Sequence, residues 1–479
     1  MSAAVSNVWR QRQSTLATMS PTNWRFWAFV LGPLLALSLL LASSPLRSML
    51  ILSATALAFL MFFRPFVGLP IIFFLGMLGE LQHFTGGISI VKCAVVLVAL
   101  GALVRHPLRS LNSRTTGVVL PLLLFIAIYC TGNVLRPSQA YNWSVILTWI
   151  GYPLAFLLVL QLATTKRRIE YVLAAMIVGA VLAGLSSAIE VFLGVNVLTS
   201  LRGIEEVIAS NGPPDMQRVS GLFNDANAAA YMHILSIPIL ISLFLLNKNW
   251  LWRLCLLALS LVSSFGLLIS FSRSGYLGLV ASLLCLLFFL KLRKASWVLL
   301  LSTAAVALLT YFIPAKTIAA RFYMIPEEMG GVSDRSLYYP TAMRLIYEHP
   351  LIPAGEDAFM SAIAMRTGLP FGPHSNILSA GVNGGLIGLA AFLWLGYRYV
   401  RYVQAGLQIT QSQSLRYYAL GAYAGIVGFQ VQGLFITNFG WFMMWATAAI
   451  PLCCILADRG YSQAERRQSP VSQGRPDLA

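Results

Sequence analysis

The stretch Ala229-Ala230-Tyr231-Met232-His233-Ile234-Leu235-Ser236-Ile237-Pro238-Ile239-Leu240-Ile241-Ser242-Leu243-Phe244-Leu245-Leu246 carries no acid, lysine or arginine. After Asn247-Lys248-Asn249 a second apolar run, 251–271, follows with Arg253 as its one charge. A hydrocarbon core of about 30 Å takes roughly 20 apolar residues in helical form. Every backbone N–H and C=O must be satisfied within the segment there, so the reading is a helix. Working outward, further runs fall at 26–42, 46–63, 66–81, 88–104, 117–132, 144–163, 169–192, 275–290, 296–313, 375–397, 417–436 and 439–457. The pattern predicts an all-α polytopic membrane protein with 14 spans, or 12 if two short runs form a re-entrant hairpin. Solid apolar runs exclude a membrane β-barrel, whose strands alternate apolar and polar residues.

Composition agrees. Of 479 residues, 58% are hydrophobic and 10% charged, against about 25% charged in soluble domains. Mean hydropathy is +0.75. An ordinary soluble enzyme, a disordered chain and a disulfide scaffold are excluded. The six cysteines, Cys93, Cys130, Cys255, Cys285, Cys453 and Cys454, all lie within apolar runs and read as small apolar residues.

The net charge of +17 is a topology signal rather than a nucleic-acid signal. With the N-terminus cytoplasmic, Arg10, Arg12, Arg25, Arg64, Arg105, Lys166, Arg167, Lys291, Arg293, Arg398 and Arg466 all fall inside, with nearly all the excess positive charge. An even number of spans puts both termini inside. The first run follows basic residues and reads as an uncleaved signal anchor. The expected organisation is a cytoplasmic segment 1–25, a membrane domain 26–457 and a disordered cytoplasmic tail 458–479 rich in Arg, Gln, Ser and Pro. Two outer loops are long, about 193–228 and 314–374, and long loops in a compact protein carry function.

The first loop ends in Arg218-Val219-Ser220-Gly221-Leu222-Phe223-Asn224-Asp225-Ala226-Asn227. Arg218 offers a planar fork of donors suited to phosphate oxygens. Asn224, Asp225 and Asn227 stand where a helix begins; they suit capping and an anion near the free N–H groups. A capped helix beside a surface arginine is the plainer alternative. Ser270-Phe271-Ser272-Arg273-Ser274-Gly275 joins two apolar runs with almost no loop. Arg273 therefore sits near membrane depth, facing a cavity or snorkelling to headgroups. In the second loop, residues 335–348 have a helical pattern: Leu337, Ala342, Leu345 and Ile346 on one side, Arg335, Arg344 and Glu348 on others. They predict an amphipathic helix on the outer membrane face, stopped by Pro350 and Pro353. Then Gly372-Pro373-His374-Ser375-Asn376 opens a span. Histidine is the side chain best suited to move a proton near neutral pH, although an interfacial histidine bonded to backbone fits too. Gly381/Gly385 and Gly384/Gly388 are small-xxx-small pairs that predict close helix approach. Phosphate-loop, dinucleotide and metal-cluster motifs are not found, so no cofactor and no metal are expected.

Taken in order, these motifs resemble the bacterial O-antigen ligase and polymerase superfamily of membrane glycosyltransferases. The resemblance rests on Arg218 before Gly221, Phe223 and Asn227; on Ser272-Arg273; on Arg335 and Tyr339 ahead of His349-Pro350-Leu351; and on His374-Ser375 followed by Gly385 and Gly388. It covers about 215–400. Pro353 stands where the family usually has Gly, and Asn383-Gly384 where an acid often precedes the glycine.

The resemblance implies inverting, metal-independent transfer of a glycan from a polyprenyl-diphosphate carrier to an acceptor at the outer, periplasmic face of the bacterial inner membrane. It implies His374 as general base, Arg218, Arg273, Arg335 and Arg344 for the diphosphate, and Asn224, Asn227, Tyr339 and Asn376 in support. The partners it implies are the carrier-linked donor, lipid A core or another glycan as acceptor, and membrane lipids; nucleic acid is not among them. Ligase-type transfer to lipid A core is the leading expectation, with a polymerase as the alternative. A lipid-linked glycan transporter is the rival of another class; it would use the same basic residues, need no base, and expect inverted repeats that are not evident here.

Overall fold

The computed structural model describes residues 45–82, 89–105, 113–134, 143–202, 219–290, 294, 296–298, 335–368 and 370–468. Among these the chain is helical, with no strand. The helices are α1 (Pro45–Phe63), α2 (Pro65–Gly76), α3 (Ile90–Arg105), α4 (Ser113–Val134), α5 (Trp143–Leu162), α6 (Lys166–Leu193) and α7 (Val197–Arg202). There follow α8 (Ala226–Leu246), α9 (Trp250–Ile269), α10 (Arg273–Phe289), α11 (Arg335–Glu348), α12 (Glu356–Thr367), α13 (Asn376–Ile409), α14 (Gln413–Gln432) and α15 (Phe442–Gln468). Among the described residues six stretches are long and apolar enough to cross a membrane: Thr115–Gly132, Lys166–Leu193, Ala226–Leu246, Trp250–Ile269, Asn376–Ile409 and Phe442–Arg459. Ser53–Phe63, Pro65–Gly76, Ile90–Val104, Ile146–Leu162 and Arg273–Phe289 are shorter and apolar. The run at 26–42 and most of 296–313 lie outside the described residues.

The chain divides into two compact units, one of residues 1–68 and 96–107, the other of 69–95 and 108–479. In the first, α1 meets the end of α3 closely: a Cβ on Gly101 would sit 2.2 Å from the Phe62 carbonyl oxygen.

The second unit is built around α8. A helix hydrophobic all round belongs in a core, and α8 is buried along nearly its whole length. It packs on α14, α9, α10 and α6. The approach to α14 is set by small residues. A Cβ on Gly421 would lie 2.8 Å from Ile239 Cα, and one on Gly425 2.8 Å from the Leu235 carbonyl oxygen. Their spacing puts both on one face, where backbones touch without intervening side chains. α13 packs on α4, and α15 on α5 and α14.

Turns follow their capping residues. Thr165 caps α6, Asn249 caps α9 and Ser272 caps α10. The 335–348 helix forms with the predicted bounds, and the second loop holds a further helix, α12. Gly381 packs against Ile346, and Gly384 and Gly388 face Ile128 of α4. Gly385 departs from the packing reading. Its φ of 63° and ψ of −164° interrupt α13. Residues 458–468, read as part of a disordered tail, continue α15. Asp458 explains the start of this segment: its carboxylate accepts from the backbone N–H of Gln411 (3.0 Å) and Ser412 (2.8 Å) at the α13–α14 turn.

Candidate functional site

The segment 219–225 is tied down from three directions. The Gly221 N–H donates to Glu190 at the end of α6 (2.9 Å). The Val219 N–H donates to the Ile269 carbonyl at 3.3 Å, and the Leu222 carbonyl accepts from the Glu80 N–H at 2.9 Å. Asp225 then caps α8 by accepting from the Asn227 N–H at 3.0 Å, as its place before an apolar run predicted. The Asn227 side chain couples this cap to the next one. Its Nδ2 donates to Asp225 Oδ1 (3.2 Å), while its Oδ1 accepts from Ser272 Oγ (2.8 Å). Ser272 caps α10 by accepting from the Gly275 N–H at 3.2 Å. Two helix starts from separate parts of the sequence are thereby locked side by side, with Arg273 as the first residue of α10 and half-buried. Arg218 lies outside the described residues, one position before Val219.

His374 occupies the left-handed region at φ 49°. A non-glycine residue held there costs about 1–3 kcal/mol and needs surroundings that over-determine it. Those surroundings are visible on both sides. Its ring packs against Tyr338 of α11, centroids 5.2 Å apart, and Phe371 at 6.2 Å. Two residues on, the Asn376 N–H donates to the Gly433 carbonyl at 2.7 Å. The Asn376 side chain clamps the turn after α14: Nδ2 donates to Asn438 Oδ1 (2.6 Å), and Oδ1 accepts from the N–H groups of Asn438 (2.8 Å) and Phe439 (3.0 Å).

The outcome is a cavity of about 310 Å³. Its lining includes His374, Glu80, Asn224, Asp225, Tyr231 and Trp441. An imidazole, two carboxylates and a side-chain amide therefore meet in one space that, among the described residues, has no lysine or arginine in its lining. Such a space can take a proton from a hydroxyl and accept hydrogen bonds from others; it is poorly suited to holding a diphosphate. Among the described residues no group of three or more His, Cys, Asp or Glu could hold a metal ion.

The other expected residues are placed as follows. Arg335 begins α11. Arg344 is exposed and pairs with Glu348 at 2.7 Å, which raises its pKa. Tyr339 donates to the Leu434 carbonyl at 3.4 Å, while its neighbour Tyr338 is the one beside His374. α11 buries Tyr338, Ala342 and Ile346 against Phe359, Ile363 and Val382. Pro350, in the His-Pro-Leu stretch, accepts the Leu386 N–H at 2.8 Å, beside the break at Gly385. Sequence reasoning missed Glu80, Tyr338 and Trp441. Glu80 is a lone acid closing the apolar run 66–81, a signal that was present. Trp441 arrives through the Asn376 clamp on residues 438 and 439 and through ring contacts with Phe223 (6.1 Å) and Tyr231 (5.4 Å), long-range contacts that no local pattern announces.

Residues 258–393 match the family model described as O-antigen ligase. The match supports the O-antigen ligase and polymerase family, and with it a membrane glycosyltransferase-like function in O-antigen assembly. Six apolar helices of spanning length agree with a multi-pass membrane protein. The O-antigen ligase match contains Arg273, Arg335, Tyr339, Arg344, His374 and Asn376; Glu80, Arg218, Asn224, Asn227 and Trp441 lie outside it. No curated protein matches the chain.

Proposed function

We propose that this protein transfers a glycan from a polyprenyl-diphosphate carrier to an acceptor hydroxyl at the periplasmic face of the inner membrane, with inversion. The observation that carries the reading is His374 sharing a cavity with Glu80 and Asp225, one side-chain relay away from the start of the Arg273 helix. His374 takes the proton of the acceptor hydroxyl as that oxygen attacks the anomeric carbon. The bond from the anomeric carbon to the phosphate oxygen breaks, and its electron pair leaves on the diphosphate. Glu80 and Asp225 stabilise the imidazolium that forms. Arg273 and Arg218 neutralise the leaving diphosphate. Arg335 and Arg344, on α11, assist at the donor's approach. Ligase-type transfer to lipid A core is the leading form, and polymerisation of carrier-linked repeats is the alternative.

The test is the purified protein in liposomes with a polyprenyl-diphosphate oligosaccharide, with and without lipid A core, followed by gel and mass spectrometry. A conjugate that needs lipid A core establishes the ligase, and a ladder from donor alone the polymerase. His374→Ala and Arg218→Ala are each expected to abolish transfer. Normal rates in both variants would sink the residue assignment, and donor crossing the bilayer with no new glycosidic bond would favour a transporter.

A further inference from the structure

A second cavity, of about 360 Å³, adjoins the first; Thr437 and Trp441 line both. Its character is different. Tyr129, Trp149 and Tyr152 supply aromatic rings, with Tyr129 and Trp149 tilted by 30° at 3.8 Å between centroids and Trp149 edge-on to Tyr152 at 5.1 Å. The Tyr152 hydroxyl is turned onto the Gly440 carbonyl. Glu356 adds a carboxylate to the lining. A Cβ placed on Gly372, which lines the His374 cavity, would come 3.3 Å from Glu356 Oε1, so that carboxylate stands beside both spaces. The Thr437 hydroxyl is buried and has no hydrogen-bond partner among the described residues.

Chemistry narrows the occupant. Among the described residues no arginine or lysine lines this cavity; the Lys92 ammonium donates to the hydroxyl of Thr148, one of the lining residues, at 3.0 Å. A diphosphate would meet Glu356 with little to offset the repulsion. A prenyl chain would leave a carboxylate and hydroxyls facing hydrocarbon, each a costly loss of hydrogen bonding. A pyranose ring satisfies both kinds of wall. Its C–H face lies against electron-rich ring faces, and its hydroxyls donate to Glu356 and pair with Thr437.

We propose that this cavity is a saccharide subsite, holding an uncharged pyranose ring of the glycan next to the one that reacts at His374. The inference rests on the transferase reading. The ring belongs to the donor glycan or to the acceptor, and the test separates the two.

The probes are the O-antigen oligosaccharide released from its carrier, the core oligosaccharide released from lipid A, and polyprenyl diphosphate without sugar. Binding of each to the full chain in detergent is followed by calorimetry and by quenching of Trp149 and Trp441. Gly440 gives a direct way to fill the space: a Cβ there meets only Tyr152 Oη, at 3.6 Å. One oligosaccharide is expected to bind, and Gly440→Leu to weaken it by about tenfold or more, with Gly440→Ala weaker in effect. Thr437→Val, close in shape, is expected to weaken the same probe and serves if the leucine variant does not fold. The probe that responds names the donor or the acceptor side. Binding of polyprenyl diphosphate stays unchanged. Absence of binding by both oligosaccharides, indifference to both substitutions, or an effect on polyprenyl diphosphate instead would each overturn the subsite. Oligosaccharide binding that responds to the variants in a wild-type protein that transfers nothing would sink the transferase reading and leave the subsite standing.

Discussion

Gly384 and Gly385 are neighbours in one helix, yet alanine at the two positions should act in opposite directions. Gly384 is helical, and a Cβ there would meet only Ile128 Cγ2, at 3.8 Å. Replacing a helical glycine with alanine gains up to about 1 kcal/mol. Gly385 sits at φ 63°, ψ −164°, a region that is essentially glycine-only and costs other residues about 1–3 kcal/mol. Its new Cβ would also lie 2.5 Å from the Pro350 carbonyl oxygen. That oxygen must then move, which strains or breaks its 2.8 Å bond from the Leu386 N–H, worth about 1 kcal/mol. Gly385→Ala is therefore expected to cost about 3 kcal/mol. In a chain of this length 1 kcal/mol corresponds to about 1 °C in Tm by scaling from small domains, so heating with fluorescence-detected gel filtration should read a fall of about 3 °C against a rise of about 1 °C for Gly384→Ala. Hydrogen exchange at Leu386 is the sharper readout, since easing local opening by 3 kcal/mol speeds exchange by about two orders of magnitude. Equal melting and equal Leu386 protection in the two variants would refute the broken helix and its role in seating the His-Pro-Leu segment.

Asn376→Ala leaves the buried N–H groups of Asn438 and Phe439 without acceptors. The expected cost is about 3 kcal/mol, read as protease cleavage appearing within 433–441; an uncut turn with wild-type stability would refute the clamp. Ser272→Ala removes a cap and the link to Asn227. It should lower stability by about 1 kcal/mol and raise the KM for donor more than it lowers kcat, while Ser272→Thr restores both; a change in kcat alone would place the serine elsewhere in the mechanism. His233 is buried in α8 with neither ring nitrogen bonded among the described residues, so His233→Leu should stabilise the protein by about 1 kcal/mol. A fall in Tm would mean those nitrogens have a role the chain itself does not display.

What could be read ahead of the structure was what is local. The apolar runs are helices because hydrocarbon leaves backbone groups no other partner. Asp225 announces a helix start by its chemistry, and Leu337, Ala342, Leu345 and Ile346 fix α11 by their period. The glycines were harder. Spacing suggested that Gly385 lets another helix approach; in fact its torsion breaks α13, and torsions are invisible in a residue name. The packing face of α14, Gly421 and Gly425, passed unnoticed because its neighbours Tyr417, Tyr418 and Tyr423 look like ordinary span residues. In the candidate site, His374 and Asn224 were legible and meet in one cavity. Glu80 and Trp441 come from elements far away in the chain, and what brings them there is the Leu222 carbonyl holding residue 80 and the Asn376 side chain holding residues 438 and 439.

The His374 cavity draws its walls from four separated parts of the chain: the turn at Glu80, the start of α8, the approach to α13, and the segment before α15. Only one of these lies in the 258–393 match. Exchange of that segment between related proteins would thus carry His374 and Glu356 into the recipient while the walls at Glu80, the start of α8 and Trp441 stayed behind. Under the proposed transfer, a chimera of this kind should keep the part of the recipient's sugar choice that those three walls set.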